Sequence, residues 1–111
     1  MKEKSLLIQL QGDNPTIRII DFMLENKGLD ITKKDIINGA GISRAALFKY
    51  WKDIEKFDIV RITRKFGKTK LYALNSENGI VKRLIDLELE LIKNSVDTQH
   101  NLKVQKIKQL A

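Results

Sequence analysis

The 111-residue chain has no cysteine, which excludes disulfide frameworks and thiolate metal sites. Its single histidine, His100, lies in a polar stretch remote from any glycine-rich loop. Nucleophilic catalysis needs a Ser or Cys activated by a nearby base, and neither arrangement is present. His100 and Asp97 offer two metal ligands at most, so a solvated helix end is the plainer reading there. The six glycines are dispersed, and no phosphate-cradling loop can be built from them. No apolar run approaches the roughly 18 residues of a membrane span. The run inside "MKEKSLLIQLQGD" is too short for a signal peptide. The sequence therefore predicts no enzyme, no cofactor, no metal and no membrane contact, and the default location is the cytoplasm.

Acidic residues are also in short supply: 14 Asp and Glu face 21 Lys and Arg, a net charge of +7. The placement of that excess matters more than its size. Residues 43–70 hold nine basic side chains (Arg44, Lys49, Lys52, Lys56, Arg61, Arg64, Lys65, Lys68, Lys70) against Asp53, Glu55 and Asp58. About a quarter of the chain thus carries +6 of the +7. Scattered lysines would be a solvated surface, whereas a concentrated excess points to a polyanionic partner. An apolar fraction of 42% is enough for a core, and the length suits one small domain with an extension.

Asn14-Pro15 is a helix start, with Asn as N-cap and Pro in the first turn. Ile17, Ile20 and Leu24 give that helix an apolar face, and Gly28 is the expected C-cap. Thr32, with Asp35 three residues on, begins a short second helix that stops at Gly41. Ser43 caps a third, expected to run to about Phe57. Beyond Asp58, "IVRIT" and "KLYAL" read as two strands around a turn at Gly67. A last helix is expected to start at Asn75 or Ser76.

The interval from Thr32 to Phe57 matches a helix-turn-helix, packed through Ile36, Ala40, Ile42, Leu47, Trp51 and Ile54. Within it, "GISRAALFKYW" places Leu47 and Trp51 on one stripe. Its other face carries Ser43, Arg44, Ala46, Lys49 and Lys52, with no acid between positions 43 and 52. A capped helix N-terminus turns free N–H groups outward, where a phosphate can sit, and Arg44 in the first turn can reach a base edge or a phosphate. Phe48 has two readings: a contact at the core edge, or a ring against a thymine methyl or a sugar. The hairpin tip "RITRKFGKTK" has five basic residues and no acid, which suits a wing gripping phosphate oxygens or entering the minor groove. The expected fold is α+β and mainly helical: a winged helix-turn-helix of three helices and a β-hairpin, followed by a long C-terminal helix.

The sequence resembles the archaeal winged helix-turn-helix regulators of the broad MarR/ArsR-like group. The resemblance spans roughly Ile8 to Ile92 and rests on "GDNPTIRIIDFMLEN", "AGISRAALFKYWKDIEKFDIV", "TRKFGKTKLYALN" and "ENGIVKRLIDLE". It implies a DNA-binding transcription regulator, usually dimeric, that inserts the helix after Ser43 into the major groove. By the same resemblance Ser43, Arg44, Ala46, Phe48 and Lys49, with Arg64, Lys65 and Lys68 of the wing, match the DNA-facing positions; the charge pattern adds Lys52 and Lys70. Asp58 stands where the group usually has Gly before the first strand, and Gly79 where Pro is common. Trp51 and Phe57 are bulkier than usual.

Two apolar stripes run along the last helix: Ile80, Leu84, Leu87 and Leu91, and beside them Val81, Ile85, Ile92 and Val96. In so small a chain one stripe lacks an internal partner, and a homodimer paired through Ile80, Leu84, Leu87 and Leu91 is the simplest remedy. The alternative is that "LLIQL" (6–10) covers the second stripe within one chain. The tail "HNLKVQKIKQLA" is basic and can continue the helix, fray, or add non-specific DNA contact. The expected division is an N-terminal segment 1–13, a DNA-binding domain 14–75, and a dimerisation helix with its tail 76–111. Sequence-specific binding of double-stranded DNA by a regulator is the leading function; a DNA-coating, partition or protein-adaptor role is the alternative.

Overall fold

A computed structural model describes the backbone of residues 4–110 and the side chains of residues 4–97. Five helices and one hairpin follow in the order α1 (Leu6–Gln11), α2 (Pro15–Glu25), α3 (Lys33–Ala40), α4 (Arg44–Lys56), β1 (Val60–Phe66), β2 (Thr69–Leu74) and α5 (Gly79–Leu110). Together they form the expected winged helix with a long C-terminal helix. The tail continues α5 in backbone, and the His100 side chain lies outside the described residues.

The caps foreseen in the sequence set the helix starts. The Asn14 Oδ1 accepts from the Ile17 N–H at 2.9 Å, with Pro15 at the first helical position. Thr32 and Asp35 form a reciprocal capping box: each side chain accepts from the other's backbone N–H, at 3.1 and 3.0 Å. Gly41 ends α3 in the left-handed region at φ 66°, a conformation that costs a Cβ-bearing residue about 1–2 kcal/mol. Two boundaries differ from expectation. α2 ends on Asn26, and Gly28 (φ 87°) lies two residues further on, in the turn. α5 starts at Gly79 because Asn78, rather than Asn75 or Ser76, supplies the cap: its Oδ1 accepts from the Ile80 N–H at 2.7 Å. Gly79 therefore occupies the first helical position, where Pro is also accommodated.

The end of α4 explains a second departure. Asp58 has φ 53°, and the Ile59 N–H donates to the Ile54 carbonyl while the Asp58 N–H donates to that of Glu55. This is a Schellman closure with Asp in the left-handed position usually given to Gly. Asn78 Nδ2 donates to the carbonyls of Phe57 and Asp58 at 2.8 and 2.9 Å, so one side chain ties the end of α4 to the start of α5.

The core lies between α2, α3, α4, the hairpin and the start of α5. Ile19, Met23, Leu24, Ile36, Leu47, Trp51, Ile54, Tyr72 and Val81 are its buried centre. Within the expected N-terminal segment 1–13, α1 is a six-residue helix capped by Ser5. A helix that short is not stable alone; burial of Leu7 holds it where α1 packs against α2 and α5. The strands pair antiparallel from Val60–Leu74 to Phe66–Thr69, and extend closer to the tip than expected. The register shifts between Ile62 and Arg64, where Thr63 is the extra residue of a bulge. Gly67 takes φ 58° at the first position of the two-residue turn, the pattern of a II′ hairpin. Among the described residues, no helix is long and apolar enough to cross a membrane.

Gly39 shows how closely α2 and α3 approach. A Cβ there would occupy the space of the Phe22 ring. Helix propensity alone favours Gly→Ala by about 1 kcal/mol. We expect the opposite sign: Gly39→Ala destabilises the protein by roughly 1–3 kcal/mol through overpacking. The check is a lower denaturant midpoint at unchanged slope.

Candidate nucleic-acid interface

α4 divides into three strips. Leu47, Trp51 and Ile54 point inward and are 0%, 3% and 1% exposed. Lys49 and Lys52 lie on the opposite, exposed face. Arg44 and Phe48, one turn apart, form the flank toward α3 and the hairpin. The Arg44 guanidinium lies 5.5 Å from the Phe48 ring centre, within cation–π range. Phe48 is 50% exposed, at the edge of the core rather than within it. Ser43 Oγ accepts the capping bond from the Ala46 N–H at 3.0 Å, and its hydroxyl hydrogen remains able to donate outward. Ala46 is half-buried and borders a hollow of about 320 Å³ with Asn14, Pro15, Arg18 and Gly41.

The hairpin carries Arg64 and Lys65 on β1, Lys68 in the turn and Lys70 on β2, all exposed. Arg64, Lys65 and Lys70 sit on paired strands and Lys68 in the tight turn that joins them, which fixes their spacing. Two contacts anchor the wing that periodicity did not reveal. Ile31 forms an isolated bridge with Tyr72, their N–H and carbonyl groups exchanging bonds of 2.7 and 2.8 Å. Arg64 pairs with Asp30 at 3.6 Å across the exposed surface. The segment before α3 thus acts as a third, one-bridge strand beside β2.

Arg18 is a further residue of this surface that no sequence pattern marks. Its guanidinium meets the Asp13 carboxylate at 2.6 and 2.9 Å and donates to the Gly41 carbonyl at 3.0 Å. It therefore joins the start of α2 to the turn that aims α4. Hydrogen bonds from Arg18, then from Lys4, hold the Asp13 carboxyl far below the usual carboxylate range. The Arg18 guanidinium is raised in turn. No local pattern marks this pairing, because residues 18 and 41 meet only in the folded chain.

The residues expected to pair two chains lie differently from one another. Leu84, Leu87 and Leu91 are partly buried against the chain's own core, whereas Ile80 is 46% exposed. Further along α5, Leu89, Ile92 and Val96 are exposed.

The fold resembles that of solved structures. It is similar to Sso10a-2, a DNA-binding protein from Sulfolobus solfataricus, with TM-score 0.51 and 18% identity over 79% of this chain and 92% of that one. It is also similar to MepR, a transcription regulator of the Staphylococcus aureus multidrug efflux pump MepA. There the TM-score is 0.58 and the identity 14%, over 94% of this chain and 82% of the other. At such identities the likeness is one of fold. No protein-family model matches the chain, and no curated protein matches it in sequence.

The Asp13–Arg18 pair carries a pH signature. A carboxyl depressed on folding contributes stability above its unfolded value of about 3.9, and loses that contribution as pH falls toward the folded value. Asp13→Asn should therefore lower the melting temperature at pH 7. The gap to wild type should narrow as the pH drops below about 3.9. Melting curves of both proteins between pH 7 and pH 2 check this; a gap independent of pH would remove the ion pair from the account.

Proposed function

We propose that the chain is a cytoplasmic, dimeric, sequence-specific DNA-binding protein that regulates transcription. α4 enters the major groove, with Arg44, Lys49 and Lys52 toward DNA and Ser43, Ala46 and Phe48 beside them. Arg64, Lys65, Lys68 and Lys70 of the wing hold the backbone. Residues 14–75 do the binding and residues 76–111 the pairing, with the segment 1–13 bracing the two. No residue is assigned a catalytic role, and no metal or cofactor is needed.

The observation that carries this reading is the exposed cationic face of α4 beside a rigid hairpin that is itself cationic at every tip position from Arg64 to Lys70 except Phe66, Gly67 and Thr69. A helix whose inward strip is fully buried presents that face in one orientation, as groove recognition requires. The fold's likeness to a DNA-binding protein and to a transcription regulator supports the same conclusion.

Pairing is supported by α5. Its 32 residues span about 48 Å at 1.5 Å per residue, and the molecule is 67 Å long but 30 and 20 Å across. With Leu84, Leu87 and Leu91 partly covered from within, the exposed apolar face of α5 offered to a second chain is that of Leu89, Ile92 and Val96, with Ile80 on the other side of the helix. A two-fold pairing through this helix sets two α4 helices at a fixed spacing, which suits a palindromic site.

A titration of operator fragments against random duplex tests the proposal. Wild-type protein should saturate its preferred duplex at two chains per site. Arg44→Ala with Lys49→Ala should lose preference, each base contact costing roughly 1–3 kcal/mol. Lys65→Ala with Lys68→Ala should weaken all duplexes alike and flatten the salt slope by roughly 1 per phosphate contact. Equal affinity for every duplex would favour a coating protein, and full specificity in the Arg44/Lys49 variant would take α4 out of the groove.

A further inference from the structure

Lys33, at the first position of α3, belongs to none of the residues assigned above. Its Nζ lies 5.4 Å from the ring centre of Phe48, 5.1 Å from that of Trp51 and 5.7 Å from that of Tyr72. Three rings from three places in the chain, two on α4 and one on β2, thus surround one ammonium. The ion pairs among the described residues join Lys4 and Arg18 to Asp13 and Arg64 to Asp30, and Lys33 is in none of them. Glu55 and Asp58 border the same groove of about 450 Å³, yet neither pairs with it.

An ammonium held by ring faces keeps its full charge while its direction is fixed, and no carboxylate must be displaced before it can meet an anion. Arg64 differs in that respect, since Asp30 already neutralises part of it. The position is equally telling. Tyr72 joins β2 to Ile31, two residues before Lys33, while Phe48 and Trp51 belong to α4. Lys33 therefore stands in the seam between the helix and the wing. The first helix of a helix-turn-helix crosses the backbone, not the bases. Lysine suits that task as a compact point charge.

We infer that Lys33, caged by Phe48, Trp51 and Tyr72, grips a DNA phosphate in the seam between α4 and the wing. The Phe48 ring, which faces both Lys33 and Arg44, positions the two cations and makes no base contact of its own. This rests on the DNA-binding reading above and adds to it a contact and a positioning residue.

The test uses the full chain and three variants, Lys33→Gln, Phe48→Leu and Phe48→Tyr, with matched specific and random duplexes. Lys33→Gln should weaken both duplexes alike and reduce the slope of log K against log salt by about 0.9. Phe48→Leu keeps the apolar bulk but removes the ring, and should cost about two- to fivefold in affinity, the size of an exposed cation–π contact. Phe48→Tyr should restore it. In the DNA-free protein, ring currents should move the Lys33 ε-methylene protons upfield, and Phe48→Leu should reduce that shift. An unchanged salt slope in Lys33→Gln, or unshifted ε-protons in wild type, would overturn the inference while leaving DNA binding intact. A changed base preference in Phe48→Leu would make the ring a base contact and overturn its positioning role. Failure of wild type to bind any duplex at low salt would overturn the underlying reading instead.

Discussion

The burial of Leu47, Trp51 and Ile54 along one strip of α4 is the constraint on which every other feature of the surface depends. Full burial of such side chains is worth roughly 1.5–3 kcal/mol each, and it fixes the rotation of the helix about its axis. With that rotation fixed, Lys49 and Lys52 have one direction left to them, and Arg44 and Phe48 fall on the flank that meets α3. Trp51 bears a cost in this arrangement, since its indole Nε1 is buried with no hydrogen-bond partner among the described residues. An unmet buried donor costs about 1–3 kcal/mol. Its ring contacts offset part of that: Tyr72 meets it edge-on at 5.0 Å and 77°.

Tyr72 carries the same constraint into the wing. It packs on Trp51, bridges Ile31 through two backbone bonds, and lies on the strand that presents Lys70. Burial, and then the nearby Glu55, push its phenol above the ordinary value. On β1 only Val60 belongs to the core; the strand is largely exposed from Arg61 onward, and the bulge at Thr63 shifts its register before Arg64. Helix, wing and the loop before α3 are consequently one rigid surface, with Arg18 and Asp13 bracing its far side.

Much of this was legible in the sequence because it depends on neighbours in the chain. The caps at Asn14, Thr32 and Ser43, the left-handed Gly41 and the strip from Leu47 to Ile54 are all local patterns, and together they give the winged helix. What escaped depends on residues that meet only after folding. α1 has too few residues to declare itself and exists through the burial of Leu7. The closeness of Gly39 to Phe22, the grip of Arg18 on Gly41 and the cage around Lys33 join separate elements. Asp58 was legible as a departure from the group that the sequence resembles, but not as a residue in the left-handed backbone that usually favours Gly. On α5 the periodicity gave two stripes without telling which one the chain covers itself. The core takes Val81 and parts of Leu84, Ile85, Leu87 and Leu91 from both stripes, and leaves Ile80, Ile92 and Val96 outside.

The central claim is that one contiguous surface, α4 with the wing, meets DNA. The most direct measurement is the map of backbone amide shifts as a short duplex is titrated into isotope-labelled protein. The account predicts that the largest changes fall within Ser43–Lys52 and Arg64–Lys70, with α2 and the distal half of α5 little affected. Changes centred on α5 or α1, with α4 and the wing unmoved, would contradict it.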